Sequence, residues 1–198
     1  MYKVVVLASN GGGIFYEVAL KAKELGFSVV RLIVNKQCAA IDKAKDLNIA
    51  YNVIDSKGDK LFTEIDEILG AVDADLVVLG GFLPILPAWF CKKWDRQIIN
   101  VHPSLLPAYG GKGMYGVHVQ EAVMAAKEKY AGCTIHYVDE GIDRGEIIEQ
   151  WKIPVDYNLT PWELGGKVYN RGIIMLPIVI AELAMKKERD NKTDNRHE

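Results

Sequence analysis

The chain opens on an apolar run, Val4–Ala8, and then repeats one rhythm of apolar stretch followed by amphipathic stretch as far as Gly80. Val4–Ala8 lacks polar alternation, as a parallel strand covered on both faces should. Asn10-Gly11-Gly12-Gly13 follows and leads into a helix expected from about Ile14 to Leu25, which Gly26 stops as a C-cap. Further strands are expected at Val29–Val34, Ala50–Ile54 and Leu76–Gly80. Helices at Cys38–Leu47 and Leu61–Leu69 fall between them. This alternation predicts an α/β fold: a Rossmann-like, open, mainly parallel twisted sheet with helices on both faces.

Beyond Gly80 the pattern changes. Ile98–His102 reads as a strand that Pro103 ends, because proline cannot continue a ladder. Cys133–Val138 and Glu146–Ile153 are expected strands, joined by the turn Asp139–Gly145. His118 opens a helix expected at Val119–Ala126, and a long helix is expected over Pro161–Lys187, kinked at Pro177. Residues 1–185 are expected to form one domain, and the charged tail 186–198 to fray.

Side chains alternate faces along a strand, so Asn100 and His102 point the same way at the end of theirs. Ligands of open parallel sheets bind at the carboxyl ends of strands. The segment Pro103–Gly116 then reads as a long, mobile, glycine-rich loop with Lys112 at its middle, a point charge able to reach a phosphate. Asn10, Gly11, Gly12 and Gly13 join the first strand to the first helix, where backbone N–H groups favour an anion. The loop is neither G-x-G-x-x-G nor a Walker loop. In the Asp139–Gly145 turn, Asp143 stands out, since Gly145 lets the chain fold sharply beside the preceding strand. A carboxylate there is placed to pair with an imidazole and favour its charged form.

Composition narrows the function. The 198 residues are 49% apolar and carry a net charge of −2, with no Lys/Arg cluster to suggest nucleic acid or an anionic membrane surface. Cys38, Cys91 and Cys133 are widely spaced and lack metal-ligand spacing, so reduced thiols and a cytoplasmic setting are expected. The N-terminal apolar run is too short to span a membrane and lacks a cleavage site. The expected partners are small molecules.

Two distant segments carry a resemblance. Asn100-Val101-His102-Pro103-Ser104-Leu105-Leu106-Pro107, together with His136-Tyr137-Val138-Asp139-Glu140-Gly141-Ile142-Asp143-x-Gly145, resembles the folate-dependent formyltransferases over Lys3 to about Leu183. The nearest branch acts on phosphoribosyl glycinamide, and the Gly111-Lys112-Gly113-Met114-Tyr115-Gly116 loop resembles one subgroup of it. The resemblance implies formyl transfer from 10-formyltetrahydrofolate, without a metal, to the amine of that acceptor in purine synthesis. It places Asn100, His102 and Asp143 as the catalytic residues. Asn10–Gly13, Lys112, Gly113 and Met114 fall on the acceptor side. The folate side falls on Phe82, Leu83, Ile85, Leu86, Val138 and Asp139, together with Asn100 and Asp143.

Three departures from the family pattern bear on the acceptor and the folate. Gly13-Ile14 stands where the family has Ser/Thr-Asn, Gly172 where it has a ribose-contacting Glu, and Pro84 where some members have a basic residue. Formyl transfer to another amine, such as an amino sugar nucleotide or an aminoacyl-tRNA, is therefore an alternative. A redirected nucleotide-binding module is another. The sequence leaves the oligomeric state open.

Overall fold

A computed structural model describes residues 1–194. The element order is β1 (Tyr2–Ala8), α1 (Gly13–Ala22), β2 (Phe27–Val34), α2 (Ala40–Asp46), β3 (Tyr51–Val53), α3 (Asp59–Val72), β4 (Leu76–Leu79), α4 (Ala88–Lys93), β5 (Ile98–His102), α5 (Val117–Ala125), β6 (Tyr130–Tyr137), β7 (Ile147–Pro154) and α6 (Pro161–Asp194). The strands form one seven-stranded sheet in the order β3-β2-β1-β4-β5-β6-β7. Every pair from β3 to β5 is parallel, whereas β5–β6 and β6–β7 are antiparallel.

The expected two-sided burial follows directly from the alternation in β1. Val4, Val6 and Ala8 pack with α1, α2 and α6 on one face. Val5 and Leu7 pack with Leu61 and Ile65 of α3 and Phe90 of α4 on the other. A third cluster joins Val119 and Val123 of α5 to Cys133 of β6 and to Leu164 and Val168 of α6. The strand order reverses direction between β1 and β4, which makes the crevice beyond their carboxyl ends a ligand site by topology. Two loops meet there. Ser9 N donates to Gly81 O at 3.2 Å, and Ser9 Oγ accepts from Leu83 N at 2.9 Å.

Two differences from the sequence reading have physical causes. The six-residue helix α4 follows Pro87 and is too short to show periodicity; Phe90 and Cys91 anchor it. Helix α6 does not fray at residue 186: it continues to Asp194, with Lys187 paired to Asp75 at 2.6 Å. The helix is continuous across Pro177, the position of the expected kink. By length and composition α6 is apolar enough to cross a bilayer, but Leu176, Val179 and Ile180 are buried on the sheet. Residues 195–198 of the expected tail lie outside the described residues.

Candidate active site

The antiparallel register of β5 and β6 sets Asn100 opposite His136 and His102 opposite Thr134. Directly opposed residues share a face. Asn100 Nδ2 lies 3.3 Å from His136 Nε2, and His136 Nδ1 lies 2.8 Å from Tyr137 O. A carbonyl only accepts, so Nδ1 carries the proton and Nε2 is left to accept from the Asn100 amide. Burial pushes the His136 imidazole below its usual range, against the opposing pull of the Tyr137 carbonyl and Asp143. His136 is thereby a neutral acceptor that turns Asn100, and the second amide N–H of Asn100 has no hydrogen-bond partner among the described residues.

His102 is 3% exposed and both its ring nitrogens face acceptors. Nε2 lies 2.8 Å from Tyr109 O, and Nδ1 lies 3.4 Å from Asp143 Oδ2. A carbonyl only accepts, so Nε2 carries a proton, and Nδ1, which faces the Asp143 carboxylate, is the nitrogen open to a second one. Asp143 is itself held: Gly111 N donates to Oδ2 at 2.9 Å, and Oδ1 lies 3.8 Å from His136 Nε2. One carboxylate thus joins both histidines to the loop after β5.

The expected sharp turn at Gly145 is present, but by another means. Asp143 carries the positive φ, 55°, an uncommon conformation for a residue with a side chain. Gly145 instead provides close approach: a Cβ there would lie 1.8 Å from Tyr137 O. The Pro103–Gly116 loop is not mobile throughout its first half. Ser104 Oγ donates to Ala108 O at 2.6 Å, Leu106 N donates to Thr134 Oγ1 at 3.0 Å, and Gly111 is tied to Asp143. Gly110 fits beneath Leu106 and beside Asp143 because it has no Cβ.

The glycine loop caps α1 with Gly12 at φ 64°, pressed on Ala40, and no side chain caps the helix. Asn10 is exposed, and its carbonyl accepts from Ala40 N at 3.1 Å. Around Gly11 there is open space. Lys112 and Gly113 are exposed, and Lys112 makes no ion pair among the described residues. Among the described residues no hydrogen bond or ion pair joins Lys112 to the glycine loop. Met114 packs on the α5–α6 cluster rather than lying free. Gly172 is close to β5 and β6: a Cβ there would lie 2.9 Å from Val101 Cγ1, so a glutamate would have to displace it.

On the folate side, Phe82, Leu86 and Val138 pack at the margin of the α3–α4 cluster, which also contains Ile98 of β5. Leu83 and Ile85 are 60% and 73% exposed beside them. Asp139 accepts from Gly141 N at 2.8 Å and so caps its own turn. A cavity of about 340 Å³ opens against Asp143, which lines it together with Leu106, Gly111, Ile142, Arg144 and Ile147. It does not include Asn100, so the crevice at the strand ends is the better site for the chemistry. His118 pairs with Glu121 on the surface of α5 and is remote from these contacts. No three His, Cys, Asp or Glu side chains among the described residues converge as a metal site.

Sequence reasoning missed His136, Tyr109 and Thr134 as parts of the site. His136 and Thr134 do share a strand face, a signal that gains meaning only with the β5–β6 register. Tyr109 acts through its carbonyl, which no side-chain pattern reveals.

Comparison with known proteins agrees with this geometry. The profile of the family described as Formyl transferase matches residues 2–180. A chloroplastic phosphoribosylglycinamide formyltransferase of Vigna unguiculata is 37% identical over 175 residues, or 85% of this chain and 56% of that protein. The trifunctional purine biosynthetic protein adenosine-3 of Bos taurus is 39% identical over 145 residues, or 71% of this chain and 14% of that protein. The chain thus spans little more than half of the plant relative's length. The crystal structure of phosphoribosylglycinamide formyltransferase from Anaplasma phagocytophilum superposes with a TM-score of 0.84 at 33% identity, covering 94% of this chain and 88% of that one. With its fold, its Asn-His-Asp cluster and these relatives in agreement, the chain belongs to the formyl transferase family.

Proposed function

We propose that the chain transfers a formyl group from 10-formyltetrahydrofolate to the amine of 5'-phosphoribosylglycinamide, a step of purine synthesis. The observation that carries this reading is the joining of Asn100, His102 and Asp143 at the end of β5, with His136 turning the Asn100 amide. An attacking amine creates an oxyanion at the formyl carbon, and the free Asn100 N–H is a donor placed for it. His102 is the group able to hold and pass the proton released by the amine. Asp143 orients it through Nδ1. The folate co-substrate supplies the activated formyl carbon. Exposed Leu83 and Ile85, next to Phe82 and Val138, fit an apolar ring edge, and backbone groups of the 139–143 turn fit its polar edge.

The reading supports small-molecule substrates and no nucleic acid. The unpaired thiols of Cys38, Cys91 and Cys133 support a reducing compartment such as the cytoplasm. A second reading, transfer to a different amine, is favoured by the glycines at positions 13 and 172. The test is a formyl-transfer assay with 10-formyltetrahydrofolate across acceptors: phosphoribosyl glycinamide, an amino sugar nucleotide and an aminoacyl-tRNA. Turnover of the first alone is expected. Turnover of another acceptor alone would replace this reading with the second.

A further inference from the structure

Where the family resemblance implies a hydroxyl at position 13 this chain has Gly13, and one side chain from elsewhere fills that space. Tyr169 of α6 lies over the start of α1. A Cβ built on Gly13 would fall 2.1 Å from the Tyr169 hydroxyl oxygen and 3.4 Å from the ring carbon bearing it. The phenol oxygen therefore stands where a serine or threonine side chain at position 13 would project. Gly13 is the residue that admits it. The backbone at Gly13 is not left-handed, so close approach is the reason for glycine there.

The state of the hydroxyl suits a donor. Tyr169 is 44% exposed and makes no hydrogen bond among the described residues. Burial, and then the charge of Glu17, raise its pKa, so the phenol keeps its proton. The space beside Gly11 is open, and α1 starts without a side-chain cap. The tyrosine belongs to the same helix as Gly172, one turn earlier, and Gly172 is what lets α6 lie close on Val101 and Cys133. Both departures from the family pattern thus belong to one arrangement: α6 lies close to the sheet, and its tyrosine reaches the loop.

We propose that Tyr169 is a specificity-determining residue of the acceptor site, supplying from α6 the hydroxyl that hydrogen-bonds the phosphate monoester of the acceptor. This rests on the phosphoribosyl acceptor proposed above. Tyr169 meets Gly13 and makes no hydrogen bond to Asn100, His102 or Asp143 among the described residues, so it acts on acceptor binding and leaves the chemical step alone.

The experiment measures ribose 5-phosphate binding by titration calorimetry and acceptor kinetics by formyl transfer. Tyr169→Phe keeps the ring over Gly13 and removes only the hydroxyl. It should weaken ribose 5-phosphate binding and raise the acceptor KM by about 10-fold, with kcat unchanged, as expected for one hydrogen bond to a charged group. Tyr169→Ala should do at least as much. Adding Gly13→Ser to Tyr169→Ala, where the serine no longer meets the phenol, should recover most of the lost affinity. Wild-type affinity in Tyr169→Phe, no recovery in the double variant, or no binding of ribose 5-phosphate to the wild type would each overturn the assignment. The two readings fail separately. Tyrosine-dependent phosphate binding without turnover of phosphoribosyl glycinamide would sink the acceptor and leave Tyr169 in place.

Discussion

Replacing Gly145 with alanine puts the assembly of the site under direct test. The added Cβ would sit 1.8 Å from Tyr137 O, 2.7 Å from its carbonyl carbon and 3.5 Å from Asp139 N. All three are backbone atoms, so no side chain can swing aside. Ordinary contact begins near 3.4 Å, and the two arms of the hairpin must part by more than 1 Å. Asp143 is two residues away and holds Gly111 N at 2.9 Å and faces His102 Nδ1 at 3.4 Å. A shift of about 1 Å breaks the first contact and unseats the second, and misplacement of that size costs roughly 10²-fold in turnover. Overpacking of this kind costs about 1–3 kcal/mol in stability, which a domain with ~5–15 kcal/mol in hand survives. The assay is kcat for formyl transfer on protein shown folded by circular dichroism, with the melting temperature measured in parallel. As a control, Gly70→Ala introduces a Cβ with nothing within 4 Å and should hold or raise the melting temperature without touching kcat. A folded Gly145→Ala enzyme with wild-type kcat would show that the hairpin does not position Asp143 for the chemistry.

Asn100→Ala removes the donor for the developing oxyanion and should lower kcat on the order of 10²–10³-fold with a smaller change in KM; a loss under tenfold would remove Asn100 from that role. Leu83→Asp places a charge on an exposed apolar side chain beside Phe82 and should raise the folate KM, with acceptor KM unchanged; unaltered folate kinetics would displace the ring from this segment. His136 is lowered mainly by burial, so the unfolded chain binds its proton more readily than the folded one. The stability it confers is complete above the ordinary imidazole value of about 6.5 and is lost as pH falls below it. His136→Gln should therefore flatten the fall of melting temperature between pH 7 and pH 5, and an unchanged acid slope would contradict the neutral assignment.

Much of the fold is written in short-range pattern. Val4–Ala8 of β1 and the whole of β4 are uninterrupted apolar runs because helices cover both faces, and the Asn100–His102 pair is visible from strand parity alone. What the pattern conceals depends on partners far away in the chain. His136 matters because of register with a strand 36 residues earlier, and Tyr169 because α6 crosses the loop after β1. The helix α4 is too short to have a period, and the anchored part of the Pro103–Gly116 loop is held by backbone groups that carry no sequence signature. Asp143 was legible as a turn residue, but its positive φ and the close-approach role of Gly145 are properties of the folded hairpin.

The antiparallel pairing of β5 with β6 also has a consequence for the growing chain. The segment ending at His102 holds five strands in the order β3-β2-β1-β4-β5, a half-sheet whose β5 margin has no neighbour until residues 130–137 arrive. An open strand margin offers unpaired N–H and C=O groups to any other nascent copy. Pro103, with no N–H to give, stops that margin from lengthening. Once β6 docks, the free margin passes to β7, where Glu149, Lys152 and Pro154 are exposed and poorly suited to templating, while the opposite end is the three-residue β3. Chains released between residues 103 and 130 should therefore aggregate, whereas the full chain, with β7 at the margin and α6 over the sheet, should stay dispersed. The pairing that aligns the amide with its imidazole also seals the sheet against its own copies during synthesis.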